Sequence, residues 1–282
     1  MNVILPEKEK MSKKTITIYI ISLIICILAI CIVIAIQVLG DNMVNNILGI
    51  NKLVKRTKQE ENELKASFET IFDNQIEEKG NYSKRKIDKN EKIVYTSYNK
   101  QEKTDKHEID VNLPYINIKN NQVEKFNQEI SKTFEAKAEE IVDKTDSNII
   151  YTVKYKASIE NGILSLIIYS DLKQNLSAQR IIIQTFNFNL EDNKELTLDN
   201  ALKIYDLNKD EVQNKIDKNI KEEQKKSEDL IALGYNVFSR DINSEIFKVE
   251  NIKEYFIYNN NIYIIFAYGN EDITSEMDLI II

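Results

Sequence analysis

Twenty-five consecutive residues without a charge, Thr15 to Leu39 (TITIYIISLIICILAICIVIAIQVL), constrain this chain more than any other feature. At ~1.5 Å per residue such a helix is ~37 Å long, enough to cross a ~30 Å hydrocarbon core. It is apolar on every side, as a helix surrounded by lipid has to be. A cleaved signal peptide usually has a shorter apolar region of ~7–15 residues and a small-x-small cleavage site. This run ends Gln37-Val38-Leu39-Gly40, without such a site. The nearest match to a lipoprotein signal, Leu28-Ala29-Ile30-Cys31, places bulky Ile30 before the cysteine and continues apolar beyond it. The run therefore predicts an uncleaved single transmembrane helix over 15–39.

The flanks orient it. Residues 1–14 carry Lys8, Lys10, Lys13 and Lys14 against Glu7 and Glu9, whereas Asp41 follows the far end. Positive flanks stay in the cytoplasm, so 1–14 is expected to be a cytoplasmic head and 41–282 extracytoplasmic. Lys52, Lys55, Arg56 and Lys58 oppose this without reversing it, since a short head is the easier segment to retain. The chain carries a net charge of −7 and the head +2, so the remainder carries −9. That acidic balance argues against a nucleic-acid partner. Both cysteines, Cys26 and Cys31, lie in the apolar run, so the exported part forms no disulfide and suits a bacterial surface.

Beyond the span, 41–80 reads as a helical stalk or linker. Met43, Ile47, Ile50, Val54, Leu64, Phe68 and Ile71 share one 3-4 seam, interrupted by Thr57 and Glu61. The seam would either pair two copies as a homodimer through 43–79 or fold back on its own domain. A polar break follows from Gly80 to Asn90. From 92 to 282 the texture is that of an α+β domain, an antiparallel sheet with helices packed on it. Strands are expected at Lys92–Tyr98 and Glu108–Ile118, with Pro114 marking an edge or a bulge. A helix is expected from Gln122 to Thr145, with Val123, Phe126, Ile130, Phe134, Ala138 and Ile141 on one face. Asn161-Gly162 marks a type I′ hairpin between Ile149–Glu160 and Ile163–Leu172. Ser177–Leu190 adds a strand. Thr197 or Asp199 caps a short helix, and Asn208 caps a long one that stops near Gly234. Tyr255–Tyr258, Asn261–Tyr268 and Met277–Ile282 complete the strands.

Little catalytic raw material is present. His107 is the only histidine and sits in a polar run, read as exposed and incidental. Neither cysteine is available as a soluble nucleophile, and no phosphate loop occurs. Asp206-x-Asn208-x-Asp210 resembles a calcium loop, but Glu211 stands where that loop needs glycine, and a helix cap explains Asn208 more simply. Carboxylates are abundant, so a glycosidase-like pair of acids is a reading by count only. The sequence therefore points to no catalytic residue, cofactor or metal ligand. Tyr151, Tyr155, Tyr169, Tyr255, Tyr258, Tyr263 and Tyr268 fall on expected strands, where tyrosine either stacks on a ligand or lies at the core margin with a wet hydroxyl.

The stretches IDVNLPYINIKNNQVEKFNQEI (109–130), YTVKYKASIENGILSLIIYSD (151–171), FNFNLEDNKELTLDNAL (186–202) and FIYNNNIYIIFAYGN (256–270) follow one another in a distinctive order. In that order, 92–282 resembles the RsiV-like extracytoplasmic domain, shared by lysozyme-responsive anti-sigma factors and the amino-terminal region of some Gram-positive peptidoglycan deacetylases. The anti-sigma factors add a cytoplasmic sigma-binding segment, for which a fourteen-residue head is too short. The deacetylases add a metal-dependent catalytic domain, and this sequence ends where the module ends. The resemblance implies a cell-surface domain that binds a ligand, and it transfers no functional residue.

The expected role is thus a membrane-anchored surface protein, non-enzymatic, binding a cell-wall component or an extracellular protein. A carboxylate-dependent wall hydrolase and an assembly subunit joined through the stalk are the alternatives. Protease added to intact cells is expected to remove the 41–282 mass and spare the membrane-embedded amino terminus; a mass that survives, or a mature chain beginning after residue 40, contradicts the anchor.

Overall fold

The computed structural model describes residues 56–79, 92–143 and 148–282, all within one compact unit, Lys52–Ile282. The head, the 15–39 span and the 80–90 break lie outside the described residues. Among the described residues no helix is long and apolar enough to cross a membrane.

The architecture is α+β, built on two sheets. In chain order come α1 (Lys58–Phe68), β1 (Gln75–Lys79), β2 (Val94–Lys103), β3 (His107–Ile116), α2 (Asn121–Ile130) and α3 (Ala136–Asp143). Then follow β4 (Ile149–Glu160), β5 (Ile163–Gln174), β6 (Arg180–Asn189), the two-residue β7 (Lys194–Glu195), α4 (Leu198–Ile204) and α5 (Lys209–Ala232). The chain closes with β8 (Glu254–Tyr258), β9 (Asn261–Ala267) and β10 (Met277–Ile281). The larger sheet runs β2-β3-β4-β5-β6-β7, with β1 also on β4; the smaller runs β10-β9-β8.

The larger sheet is not wholly antiparallel as the sequence suggested. The α2–α3 helix carries the chain back across the sheet, so β3 and β4 pair in parallel through His107↔Ile149 to Val111↔Val153. β1 pairs in parallel with the far half of β4, Gln75↔Lys156 to Lys79↔Glu160. Between the two, Asn74 bridges to Tyr155: its N–H donates to the Tyr155 carbonyl at 2.9 Å and its Oδ1 accepts the Tyr155 N–H at 3.0 Å. Asn74 reaches both with φ +58°, a left-handed position that asparagine tolerates. The expected irregularity near Pro114 is a register shift on the facing strand, between Thr96 and Tyr98.

The helix expected over 122–145 forms as α2 and α3, joined by a π-turn at Ser131–Glu135, and all six seam residues are buried against the larger sheet. Asn161 and Gly162 adopt φ +51° and +77°, as a type I′ turn requires. Thr197 caps α4 and Asn208 caps α5, accepting from the Asp210 and Glu211 N–H groups; the same asparagine that suggested a calcium loop is a helix cap. The smaller sheet is buried on both faces. Phe256, Tyr263, Ile265, Leu279 and Ile281 face one cluster, whereas Tyr255, Ile257, Ile262, Ile264 and Ile280 face α5 through Val212, Ile216 and Ile220. This explains why IYIIFA and LIII are unbroken apolar runs.

A helix continuous to Lys79 is not found. α1 begins at Thr57, whose side chain and that of Glu60 form a capping box, and it ends at Phe68. Thr57, which interrupts the apolar seam, is thus a helix start. Leu64, Phe68 and Ile71 pack into the protein's own core with Ile167, Tyr263 and Leu279, so this part of the seam folds back and is not offered to a second copy. Gln75–Lys79 is a strand, anchored by Lys156, which is 1 % exposed and donates to Asp73 Oδ2 at 2.9 Å and Glu77 Oε1 at 2.6 Å.

Phe68 is 1 % exposed and touches the rings of Phe72 and Tyr263. Phe68→Ala is expected to cost about 3–5 kcal/mol in chemical denaturation; a loss below about 1 kcal/mol contradicts the placement of α1 in the core.

Candidate functional site

β8 of the smaller sheet meets β6 and β5 of the larger, and the meeting is made mostly by side chains. Odd-numbered residues on the outer edge of β6 point their N–H groups away from β5. Thr185 N–H donates to Glu254 Oε2 at 2.7 Å, and Ile183 N–H donates to Asn270 Oδ1 at 2.9 Å. Ile181 N–H donates to the Thr274 carbonyl at 3.0 Å, and the Ile183 carbonyl accepts from Asn270 Nδ2 at 2.8 Å. In return, the free edge of β8 is satisfied from the larger sheet. Tyr255 N–H donates to Thr185 Oγ1 at 3.2 Å, Ile257 N–H donates to Ser165 Oγ at 2.8 Å, and the Tyr255 carbonyl accepts from Asn187 Nδ2 at 2.8 Å. Glu160, buried at 4 % exposure, receives the Asn259 and Asn260 N–H groups of the β8–β9 turn at 2.8 and 3.1 Å.

Beside this seam, around the start of β8, lies a cleft of about 150 Å³. Its walls include Phe238, Ile252, Phe266 and Tyr268, and Glu254 is on its lining. Glu254 starts β8, opposite Ile265 of β9. Its Oε2 accepts from both the Thr185 N–H and the Thr185 hydroxyl, the latter at 2.9 Å. Burial pushes the Glu254 carboxyl up from 4.5 to about 7, against the pull of the Thr185 bonds and of Lys253. This is a carboxyl that changes charge near neutral pH, set in an apolar opening.

The walls are fixed from behind. Arg240, 8 % exposed, grips Asp278 through Nε at 2.8 Å and Nη2 at 3.0 Å, and Glu276 through Nη1 at 3.0 Å. Its Nη1 also donates to the Phe238 carbonyl at 2.9 Å, while the Phe238 N–H donates to Glu276 Oε1 at 2.6 Å. Burial opposes the Arg240 charge, and the bonds to Asp278 more than offset it, so its pKa is raised. Phe238 stacks on Tyr268 with centroids 3.8 Å apart, and the Tyr268 hydroxyl donates to Asp278 Oδ2 at 2.5 Å. Gly269 is obligatory next to it: a Cβ would lie 1.8 Å from the Ile181 carbonyl oxygen. Its own carbonyl accepts from Arg180 Nε at 2.7 Å.

Of the tyrosines singled out in the sequence, Tyr151, Tyr155, Tyr255, Tyr263 and Tyr268 are buried, and Tyr169 and Tyr258 are partly so. Wet hydroxyls are not what several of them have. Tyr255 donates to the Leu196 carbonyl, Tyr258 donates to Glu77 Oε1 at 2.8 Å, and Tyr155 shares a bond with Thr96 at 2.8 Å. Only Tyr268 of this set lines the cleft. His107 is also corrected: it is 7 % exposed, with Nε2 3.0 Å from Glu102 Oε1 and Nδ1 buried without a partner. Among the described residues no group of three or more His, Cys, Asp or Glu is arranged to hold a metal ion. Sequence reasoning passed over Glu254, because one acid beginning an apolar strand looks like a solubilising end residue.

No family model matches the chain, and no curated protein matches it. Solved structures similar to it include two DUF3298 proteins. One is a DUF3298 family protein from Pseudomonas aeruginosa, at 11 % identity and a TM-score of 0.38 over 61 % of this chain and 79 % of that one. The other is a DUF3298 family member from Bacteroides fragilis, at 13 % identity and a TM-score of 0.33 over 62 % of this chain and 80 % of that one.

The raised Glu254 carboxyl has a consequence for stability. The folded state holds this proton more tightly than the unfolded chain, so the contribution of Glu254 to stability falls as pH rises from about 4.5 through about 7. Glu254→Gln removes that term. Relative to wild type, the variant is therefore expected to be more stable at pH 8 than at pH 5, by up to roughly 3 kcal/mol in the difference. Parallel stability-versus-pH curves for the two proteins contradict the assignment.

Proposed function

We propose that this chain is a membrane-anchored, extracytoplasmic binding protein of the bacterial cell envelope, in which the 92–282 domain holds a cell-wall component without turning it over. The cleft beside Glu254 carries this reading. It joins apolar walls, a volume suited to one side-chain-sized group, and the Glu254 carboxyl on its lining. Sites of this composition hold ligands through apolar contact and a few fixed polar groups. The acidic exported mass, the uncharged 15–39 run and the resemblance of 92–282 to RsiV-like domains support the same location and role. Anchored beneath the wall by one helix, the domain would meet a polymer presented at high local concentration. A modest affinity for each unit then gives lasting attachment through many simultaneous contacts.

One observation favours a second reading, a carboxylate-dependent wall hydrolase. A carboxyl that titrates near 7 is suited to general-acid work, and Glu271 and Asp272 line the same cleft. A glycosidase needs its second acid held at a set distance from the first, across the scissile bond. Both of these acids are exposed, and Glu271 is 3.7 Å from Lys253. Binding is therefore the better-supported reading.

Purified full chain in mild detergent, mixed with insoluble peptidoglycan sacculi, is expected to co-sediment with them while releasing no reducing ends or free peptide above background. Sustained release that Glu254→Gln abolishes selects the hydrolase; failure to sediment with sacculi overturns the wall-binding reading.

A further inference from the structure

The chemistry of the cleft narrows what it takes. Its walls are apolar and aromatic, so the occupant presents methylenes or a ring to Phe238, Ile252 and Phe266. Its polar lining bears mainly negative charge. Glu254, Glu271 and Asp272 all lie on it, against Lys253, which is 3.7 Å from Glu271. An anion would meet three carboxylates. A neutral apolar group would strip water from Glu254 and give nothing back. A cationic donor restores the lost solvation with a charge-assisted bond.

The hydrogen bonding separates the two cationic side-chain chemistries. Both Thr185 bonds land on Oε2 of Glu254, which leaves Oε1 as the acceptor for a ligand. A guanidinium is suited to a fork of two carboxylate oxygens, whereas an ammonium is a compact point charge content with one. A cleft of about 150 Å³ matches the roughly benzene-sized cavities that hold a single small apolar group, and so holds one aliphatic arm.

We propose that this cleft binds the side-chain ammonium of the diamino acid in a peptidoglycan stem peptide, the methylene arm lying along Phe238, Ile252 and Phe266 and the nitrogen on Glu254. The inference rests on the wall-binding reading and names the group recognised. Among stem-peptide residues, a lysine at the diamino position carries a primary amine on an aliphatic arm with no carboxylate beside it. A wall whose amines are capped, by cross-linking or acetylation, would present fewer sites. The domain would then sense uncross-linked stems in preference to finished polymer. Because bound ammonium requires the carboxylate, binding expels the Glu254 proton, and affinity weakens as pH falls below the point where that group titrates.

The test is calorimetric titration of the full chain in mild detergent with the tripeptide L-Ala–γ-D-Glu–L-Lys and with two altered forms. In one the lysine amine is acetylated, and in the other arginine replaces lysine. The unmodified peptide is expected to bind at least tenfold tighter than either. Its affinity is expected to fall about tenfold per pH unit once pH is well below 7. Glu254→Gln should remove both the preference for the free amine and the pH dependence while keeping the wild-type circular dichroism. Equal affinity for free and acetylated peptides overturns the proposal, and that comparison requires no protein variant. So does tighter Glu254-dependent binding of a lysine-rich protein than of the peptide. Sacculi retained by the domain alongside equal peptide affinities would overturn this inference alone and leave the wall-binding reading in place.

Discussion

Two open sheet edges satisfying each other through side chains are what the rest of this fold depends on. A free strand edge is a row of unpaired donors and acceptors, and it either meets water, pairs with another strand or is covered. Here β8 and the stretch of β6 before its short pairing with β7 are both edges, yet they do not pair with each other as a ladder. Thr185, Asn187 and Ser165 reach from the larger sheet to the β8 backbone, and Glu254 and Asn270 reach back to β6. Each buried backbone group left without such a partner would cost ~1–3 kcal/mol. The polar residues in otherwise apolar strands are therefore structural parts and not interruptions. Ser165 and Asn187, at 1 % and 3 % exposure, also bond to each other at 2.5 Å.

A seam made of side chains also has room that a ladder lacks. A backbone ladder fixes neighbouring strands at ~4.8 Å, whereas side chains of different lengths hold the two sheets further apart, and a cleft lies beside the seam at the start of β8. The same arrangement gives the cleft its polar group. Glu254 accepts from β6 as part of the seam and simultaneously lines the opening. Structure and recognition thus share one residue. Arg240, Asp278, Glu276 and the Phe238–Tyr268 stack hold the remaining wall by a buried charge network in which the carboxylate and guanidinium groups are multiply bonded. Breaking one member would strand the others without water.

Local signals made much of the fold legible in the sequence. Asn161-Gly162, the Asn208 cap, Gly234 and the 3-4 spacing from Val123 to Ile141 each act within one turn or one helix, and each matches the structure. Long-range pairing was not legible. The parallel β3–β4 and β1–β4 pairs are set by where a helix delivers the chain, and β1 carries no strand signature in QIEEK. The 43–79 periodicity misled from Thr57 onward, because Thr57 caps the start of α1, the helix stops at Phe68, and Gln75–Lys79 continues as a strand. His107 was misread because its neighbours are polar while the ring itself turns inward to Glu102. The cleft left only a faint trace, a charged residue heading an apolar strand, since a site assembled from residues 238, 252, 254, 266 and 268 depends on contacts that no short window contains.

The carboxyl of Glu254 is the most direct probe of this account, because the seam, the cleft and the proposed ligand all converge on it. Selective 13C labelling of glutamate and a titration of the Glu254 carboxyl by NMR, in the full chain without ligand, would read it directly. A midpoint near 7 is predicted. A midpoint near the ordinary 4.5 would show a solvated side chain, and with it neither the closed seam nor the ammonium site would stand.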